Sequence, residues 1–282
     1  MGNTCTLLIA DSGSTKTDWA IGARRVKTQG INPVLQDDET ILSILCNELL
    51  PTFNAHLSPL TSHLSIRFYG SGVRPDQEER MQRLLGTVFP DAKDIVAKSD
   101  MMGAAIALLG RQEGQACILG TGSNSCLFDG QRIVQNTPPL GYILGDEGGG
   151  AALGKLFLNA LYKKRLYNGA QEEFEHFFGL SMSDVIDRVY RQPMANRWLA
   201  SLSEYIYQHL SHSSVQGLVV QNFRDFICHN ILPYRRPDLP LSAVGSIAYF
   251  YREQLAEAAD AEGYVLGRIL RSPIEGLVDS CG

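Results

Sequence analysis

The feature that most constrains this chain is a pattern that occurs twice. An apolar run, Thr6–Ala10, enters the polar turn Asp11-Ser12-Gly13-Ser14-Thr15-Lys16-Thr17-Asp18 and leaves it through Trp19-Ala20-Ile21-Gly22. About 110 residues later Ala116–Leu119, the turn Gly120-Thr121-Gly122-Ser123-Asn124 and Ser125–Asp129 repeat the outline, ending at the hairpin signal Asp129-Gly130. Two strand, glycine turn, strand units imply an internal duplication. A length of 282 residues, at roughly 150 per domain, leaves room for two units that each bury a core.

The rest of the pattern alternates between helix and strand. Thr40–Leu50 has helical spacing, Leu64–Tyr69 reads as a strand before Gly70-Ser71-Gly72, and Gln77–Leu85 reads as a short helix. Asp94–Ala97 reads as a buried strand, and Met101–Gly110 as a small-residue helix with Ser99 or Asp100 as its N-cap. Gly148 to about Leu232 is expected to be mainly helical, with breaks at Asn168-Gly169, Gly179, Pro193 and Gly217. A third strand, Leu241–Val244, runs into Gly245-Ser246. A long helix from Ala248 to about Ala261, a strand Tyr264–Leu270 and a helix starting at Ser272-Pro273 follow. The class is α/β, with a boundary near residues 105–115.

Composition removes several kinds of function. Lys plus Arg total 25 against 30 Asp plus Glu, and no basic cluster exceeds Lys163-Lys164-Arg165, so nucleic acid is not an expected partner. No stretch approaches the ~18 apolar residues of a membrane span. The N-terminal residues carry no basic leader, so the cytoplasm is the expected compartment. Six cysteines without a C-x-x-C read as reduced, mostly buried thiols.

Three glycine-bearing turns after apolar strands suit phosphate, because backbone N–H groups and Ser/Thr hydroxyls can converge on an anion; each alone also fits a plain connecting turn. Gly149-Gly150-Ala151-Ala152-Leu153-Gly154-Lys155 imitates a P-loop but follows Asp146-Glu147 and places Leu156 where a magnesium-binding hydroxyl belongs. Gly120-Thr121-Gly122 lacks the third glycine of a dinucleotide fingerprint and opens a strand. His209 and His212 have no third ligand nearby, so no metal site is expected there. Among the acids, Asp11 would stand beside a bound phosphate and orient hydrated Mg²⁺. Asp100, at a strand end, is read either as a helix cap or as the acceptor of an attacking hydroxyl's proton. Asp146-Glu147, between glycines, reads as a third site or as a surface turn.

Taken together these residues resemble the sugar-kinase, heat-shock-protein-70 and actin superfamily. Within it, the chain resembles the N-acetylglucosamine kinase and BadF/BadG/BcrA/BcrD-type ATPase family. The resemblance spans nearly the whole chain. It rests on Asp11–Thr17, Gly30-Ile31-Asn32-Pro33, Ser99-Asp100, Gly120–Asn124, the segment from Gly141 to Gly148, and Ala243-Val244-Gly245-Ser246.

The resemblance implies two ribonuclease-H-like lobes, 1–110 and 111–271, with ATP in the cleft between them, a helical insertion in the second lobe, and a last helix, about 272–282, that returns to the first. It implies ATP with Mg²⁺ as cofactor. Asp11, Gly13, Ser14, Thr15, Lys16 and Thr17 would lie on the phosphates, with Asp11 also on the metal. Thr121 and Gly122 would contact phosphate, and Gly245 and Ser246 the nucleoside. Asn32, Asp100, Ser123, Asn124 and Asp146 would hold an amino sugar, with Asp100 as catalytic base toward its 6-hydroxyl.

Pro139-Leu140 replaces a Gly-Trp pair that lines the sugar pocket of the animal kinases, and serines replace glycines in the first turn. The expected activity is phosphorylation of N-acetylglucosamine, with glucosamine or N-acetylmuramic acid as neighbouring acceptors and a homodimer as the assembly. Two alternatives differ in class. One is an ATPase activator of a 2-hydroxyacyl-CoA dehydratase, which would need cysteines beside glycine-rich helix starts for an iron–sulfur cluster. The other is a sugar sensor without turnover.

Overall fold

The computed structural model describes residues 6–13, 15–54 and 64–281. The chain divides into two units, Met1–Gly110 with Ser272–Gly282, and Arg111–Arg271.

In the first unit β1 (Thr6–Ser12), β2 (Lys16–Ile21) and β3 (Arg24–Gln29) form a meander. Helix α1 (Asp38–Ile44), capped by the Asp37 carboxylate on the Thr40 N–H, continues through a π-helical turn, Leu45–Leu49, into α2 (Leu50–Asn54). Then come β4 (Leu64–Gly70), α3 (Pro75–Val88), β5 (Asp94–Ser99) and α4 (Asp100–Leu109). The sheet order is β3-β2-β1-β4-β5, with β2 antiparallel to its neighbours and β4 and β5 parallel to β1. Trp19, fully buried, packs against Phe68 at 5.8 Å and donates its indole N–H to Thr28, so the meander is anchored to the parallel part of the sheet. β3 was not expected. Its sequence, Arg-Arg-Val-Lys-Thr-Gln, is too charged to read as a core strand, and it occupies a sheet edge where such residues block further pairing.

The second unit repeats the topology. β6 (Gly114–Leu119), β7 (Ser123–Phe128) and β8 (Ile133–Gln135) form its meander. The helical stretch is α5 (Gly141–Leu144), α6 (Gly150–Tyr162), α7 (Ala170–Phe178), α8 (Met182–Tyr190), α9 (Ala195–Gln208) and α10 (Ser213–Phe226). β9 (Leu241–Val244), α11 (Ser246–Phe250), α12 (Arg252–Ala261) and β10 (Leu266–Leu270) complete it. The order β8-β7-β6-β9-β10 matches the first sheet strand for strand, as the duplicated motif implied. Each unit is a ribonuclease-H-like α/β body of the actin-like ATPase class. The last helix, α13 (Pro273–Cys281), belongs to the first unit, where it packs on α4 and β1 and Ser280 donates to the Ile106 carbonyl.

Three expectations are corrected. Gly217 does not break a helix but lies on the exposed side of α10, whose other side buries Val215, Val219 and Phe223; the break falls at residues 209–212. The helix expected over Ala248–Ala261 is split at Tyr251, which leaves helical geometry (φ −102°, ψ 28°), is buried and donates its hydroxyl to the Ser203 carbonyl. The second glycine turn is shorter than read. It closes with Gly120 N–H on the Gly122 carbonyl at 3.0 Å, and Ser123 and Asn124 already belong to β7.

Candidate active site

Register fixes the chemistry of the first unit. Ser12 pairs with Gly70 and Gly70 with Ser99, so the carboxyl ends of the parallel strands β1, β4 and β5 lie in one row, with Asp11 just inside it and Asp100 just beyond. Carboxyl ends of parallel strands are where open α/β sheets bind ligands.

Asp11 stands opposite Asp18 in the β1–β2 pair. Burial first, then the charges of Asp100 and Asp18, push its carboxyl up to about 7, with Lys16 opposing the shift. No protein donor bonds the Asp11 carboxylate among the described residues, whereas Asp18 has Lys16 at 2.7 Å and Lys27 at 3.9 Å. Burial also raises Asp100, although its carboxylate accepts the Met101 N–H at 2.8 Å.

The turn residues divide by environment. Gly13, Thr15 and Lys16 are exposed, Gly13 N–H closes the turn on the Lys16 carbonyl, and Ser14 lies outside the described residues. Thr17 is a buried residue of the turn. Its hydroxyl is fully buried between Ser12 Oγ at 2.7 Å and the Gln29 carbonyl at 3.1 Å, so it ties the hairpin together and offers no free donor to a phosphate. Ser12 Oγ accepts the Ile31 N–H at 2.9 Å and so joins the turn to the Gly30–Pro33 loop. In that loop Asn32 is half-buried, and its side-chain oxygen accepts the Val34 N–H at 3.0 Å.

The second unit builds an analogous edge. Ile118 pairs with Val244 and Val244 with Leu270, which puts Gly120–Gly122 and Gly245 at the carboxyl ends of β6 and β9. Thr121 is exposed. The first N–H groups of α6 are already used, Gly150 on the Gly120 carbonyl at 2.8 Å and Ala151 on the Thr121 carbonyl at 2.9 Å. The P-loop imitation is therefore a bracket that holds the turn, not an anion site.

Asp146 sits against Gly122, where a Cβ would come within 2.4 Å of Asp146 Oδ2. Its carboxylate accepts the backbone N–H groups of Ser123 and Gly141. Burial nevertheless raises its pKa, opposed by those two bonds and by the charge of Lys155. Lys155, the last residue of the P-loop imitation, donates to the Tyr142 carbonyl and thus anchors α5 beside Asp146. Ser123 is buried, and Asn124 accepts from Ser125 N–H and Asn136, both at 2.9 Å. Gly245 has φ +124°, and a Cβ there would meet the Leu119 carbonyl oxygen at 2.2 Å, so packing against β6 already demands glycine. Ser246 is exposed at the start of α11.

Cys117 and Cys126 are fully buried in β6 and β7, where burial pushes the Cys126 thiol up to about 12 and raises Cys117 as well. Neither is placed to ligate a cluster. Among the described residues no group of three or more His, Cys, Asp and Glu side chains is arranged to hold a metal by itself, and no helix is long and apolar enough to cross a membrane. Asp11 still fits hydrated Mg²⁺, which takes one or two carboxylates and completes its shell with water and substrate phosphates. A carboxylate without protein donors, pressed by two other acids, suits such a cation.

A solved structure from Porphyromonas gingivalis, provisionally described as an N-acetylglucosamine kinase, is 46% identical to this chain. It covers 97% of this chain and 98% of its own length at a TM-score of 0.92. The chain belongs to the N-acetylglucosamine kinase family. A Chromobacterium violaceum structure with the same provisional description is 18% identical over all of both chains, with a TM-score of 0.73. A ROK-family transcriptional regulator, homologous to the Mlc protein of E. coli, is 12% identical, covers 99% of this chain and 80% of its own, and has a TM-score of 0.60. These two share the fold alone with this family member. No family model matches the sequence, and no curated protein does.

Proposed function

We propose that this chain is an ATP-dependent sugar kinase that phosphorylates the 6-hydroxyl of an amino sugar, N-acetylglucosamine first among the candidates. Its membership of the N-acetylglucosamine kinase family, through a relative 46% identical over nearly the full length, carries the reading. The placement of Asp100 supports it. A carboxylate at the carboxyl edge of the sheet, raised by burial and beside Asp11, suits a general base.

In this mechanism Asp100 accepts the hydroxyl proton as the sugar oxygen bonds to the γ-phosphorus and the bond from that phosphorus to the bridging oxygen breaks, releasing ADP. Most of the acceleration comes from positioning and charge. Asp11 would hold hydrated Mg²⁺, which neutralises phosphate charge when bound. Exposed Gly13, Thr15 and Lys16 in one unit and Thr121 and Gly122 in the other are assigned to ATP phosphates, and Ser246, next to Gly245, to the nucleoside. Asn32, Ser123, Asn124 and Asp146 are assigned to the sugar. The half-buried Asp146 presents an acceptor to a sugar hydroxyl.

Buried Cys117 and Cys126 weigh against the dehydratase-activator alternative. The test is a coupled assay of ADP release with N-acetylglucosamine, glucosamine and N-acetylmuramic acid, with and without Mg²⁺. Sugar-dependent ADP release with a 6-phosphate product is the expected result; sugar-independent ATP hydrolysis alone overturns the reading.

A further inference from the structure

The loop between β3 and α1 carries Asn32 and is held by two side chains to which the proposed mechanism gives no part. Gln36 spans the base of the loop, its Oε1 accepting the Asn32 N–H at 2.8 Å and its Nε2 donating to the Gly30 carbonyl at 3.0 Å. Arg80 reaches in from α3. Its Nε donates to Asp38 Oδ1 at 2.6 Å, one terminal nitrogen to the Pro33 carbonyl and to Gln77, and the other to the Gln36 carbonyl at 3.0 Å. A planar guanidinium satisfies three directions at once, which a lysine ammonium on a flexible stem does not reproduce. Gly72 closes the other side. With φ +81° and Asn32 Oδ1 2.1 Å from where a Cβ would stand, it leaves the amide only the space it occupies.

These contacts decide which way the amide faces. The oxygen of Asn32 accepts the Val34 N–H, which leaves the amide nitrogen on the other side of the group. That nitrogen has no acceptor among the described residues. The loop therefore presents the amide N–H groups of Asn32 as unspent donors, with the group's direction fixed from behind.

We propose that Arg80 and Gln36 are positioning residues that hold Asn32 as a donor toward an oxygen of the sugar. The inference rests on the kinase reading above and deepens it by naming what sets the geometry of one sugar contact. A loop anchor of merely structural importance would lower stability without a preference between substrates. A positioning network instead changes the sugar term alone.

The test is a double-mutant cycle on the full chain, with KM for N-acetylglucosamine, KM for ATP and kcat measured separately and sugar affinity measured by calorimetry. Arg80→Ala and Gln36→Ala are each expected to raise the sugar KM and Kd about five- to tenfold, the effect of losing one aligned hydrogen bond. KM for ATP should stay within about twofold. Arg80→Lys should recover less than half of the Arg80→Ala loss, because it restores the charge but not the fork. In an Asn32→Ala background neither substitution should weaken sugar binding further, since both act through that amide. Gln36→Ala keeps the inference testable if Arg80→Ala fails to fold. Additive losses in the Asn32→Ala background, or a parallel rise in the ATP KM, overturn it. If the wild-type chain neither binds nor phosphorylates any amino sugar, the kinase reading itself falls; if it does so and both variants match it, only this inference falls.

Discussion

The hydroxyl of Ser99 caps α4 by accepting the Met102 N–H at 3.3 Å, so the residue next to Asp100 does the capping that the sequence also offered to Asp100. Asp100 is the first helical residue, and its carboxylate accepts the Met101 N–H and its own backbone N–H. Replacing it with asparagine should keep that acceptor and the helix while removing the base. Asp100→Asn is expected to lower kcat by about 10²- to 10⁴-fold with N-acetylglucosamine, with ATP affinity nearly unchanged and no loss of melting temperature. Stopped assays with calorimetry of ATP binding check this. A variant with the wild-type rate would remove Asp100 from the chemistry.

The acid group around Asp11 predicts a pH slope. Its carboxyl rises from the ordinary 3.8 to about 7 in the folded chain, so between those values the folded state binds more protons than the unfolded state. Stability from this group is therefore lost as pH rises through that window. Without nucleotide or Mg²⁺, Asp11→Asn should melt about 3 °C above wild type at pH 8 and converge with it near pH 4. Melting curves across the range decide the point; a pH-independent difference would contradict the burial of this charge.

Asp146 predicts a kinetic counterpart with a different cause. Lys155 helps keep its carboxyl ionised. Lys155→Met should raise the Asp146 pKa further and move the acidic limb of kcat/KM for the sugar to higher pH, with the ATP limb unmoved. A profile that superimposes on wild type would exclude Asp146 as an ionised sugar contact.

Two glycines should fail in different ways. At Gly245 a methyl would meet the Leu119 backbone oxygen in a left-handed conformation, and neither gives way easily. Gly245→Ala should cost about 2 kcal/mol or more and lower the melting temperature whatever the ligand. At Gly122 the methyl would meet the Asp146 carboxylate, the movable end of a side chain. Gly122→Ala should leave the melting temperature within about 2 °C and instead raise the sugar KM by displacing Asp146. Equal loss of stability in both variants would refute this distinction.

Much of the fold was legible because it is written in local patterns. Thr6–Ala10 is a compact apolar run before a polar turn, Leu64–Tyr69 alternates before Gly70, Leu241–Val244 runs into Gly245-Ser246, and each lies in a strand. The repeated hairpin signalled a duplication, and the two sheets share one strand order. β3 and the break at Tyr251 were hidden for opposite reasons. The first is a charged edge whose pairing depends on β2, and the second is a buried tyrosine whose hydroxyl answers to a carbonyl on α9. Family resemblance named candidate residues, but it could not tell that Thr17 spends its hydroxyl inside the hairpin or that Lys155 serves Tyr142 and Asp146.

The amino-acid sequence by itself determined the two α/β units and the order of their glycine turns, because strand and turn signals act over a few residues. Tertiary structure alone decided which acids stand close enough to Asp11 to raise it, which helix N–H groups are already used, and how Arg80 holds the loop that carries Asn32. Those outcomes depend on contacts between residues dozens of positions apart, such as Arg80 with the Gln36 carbonyl and Asp100 with Asp11, and no local pattern encodes them.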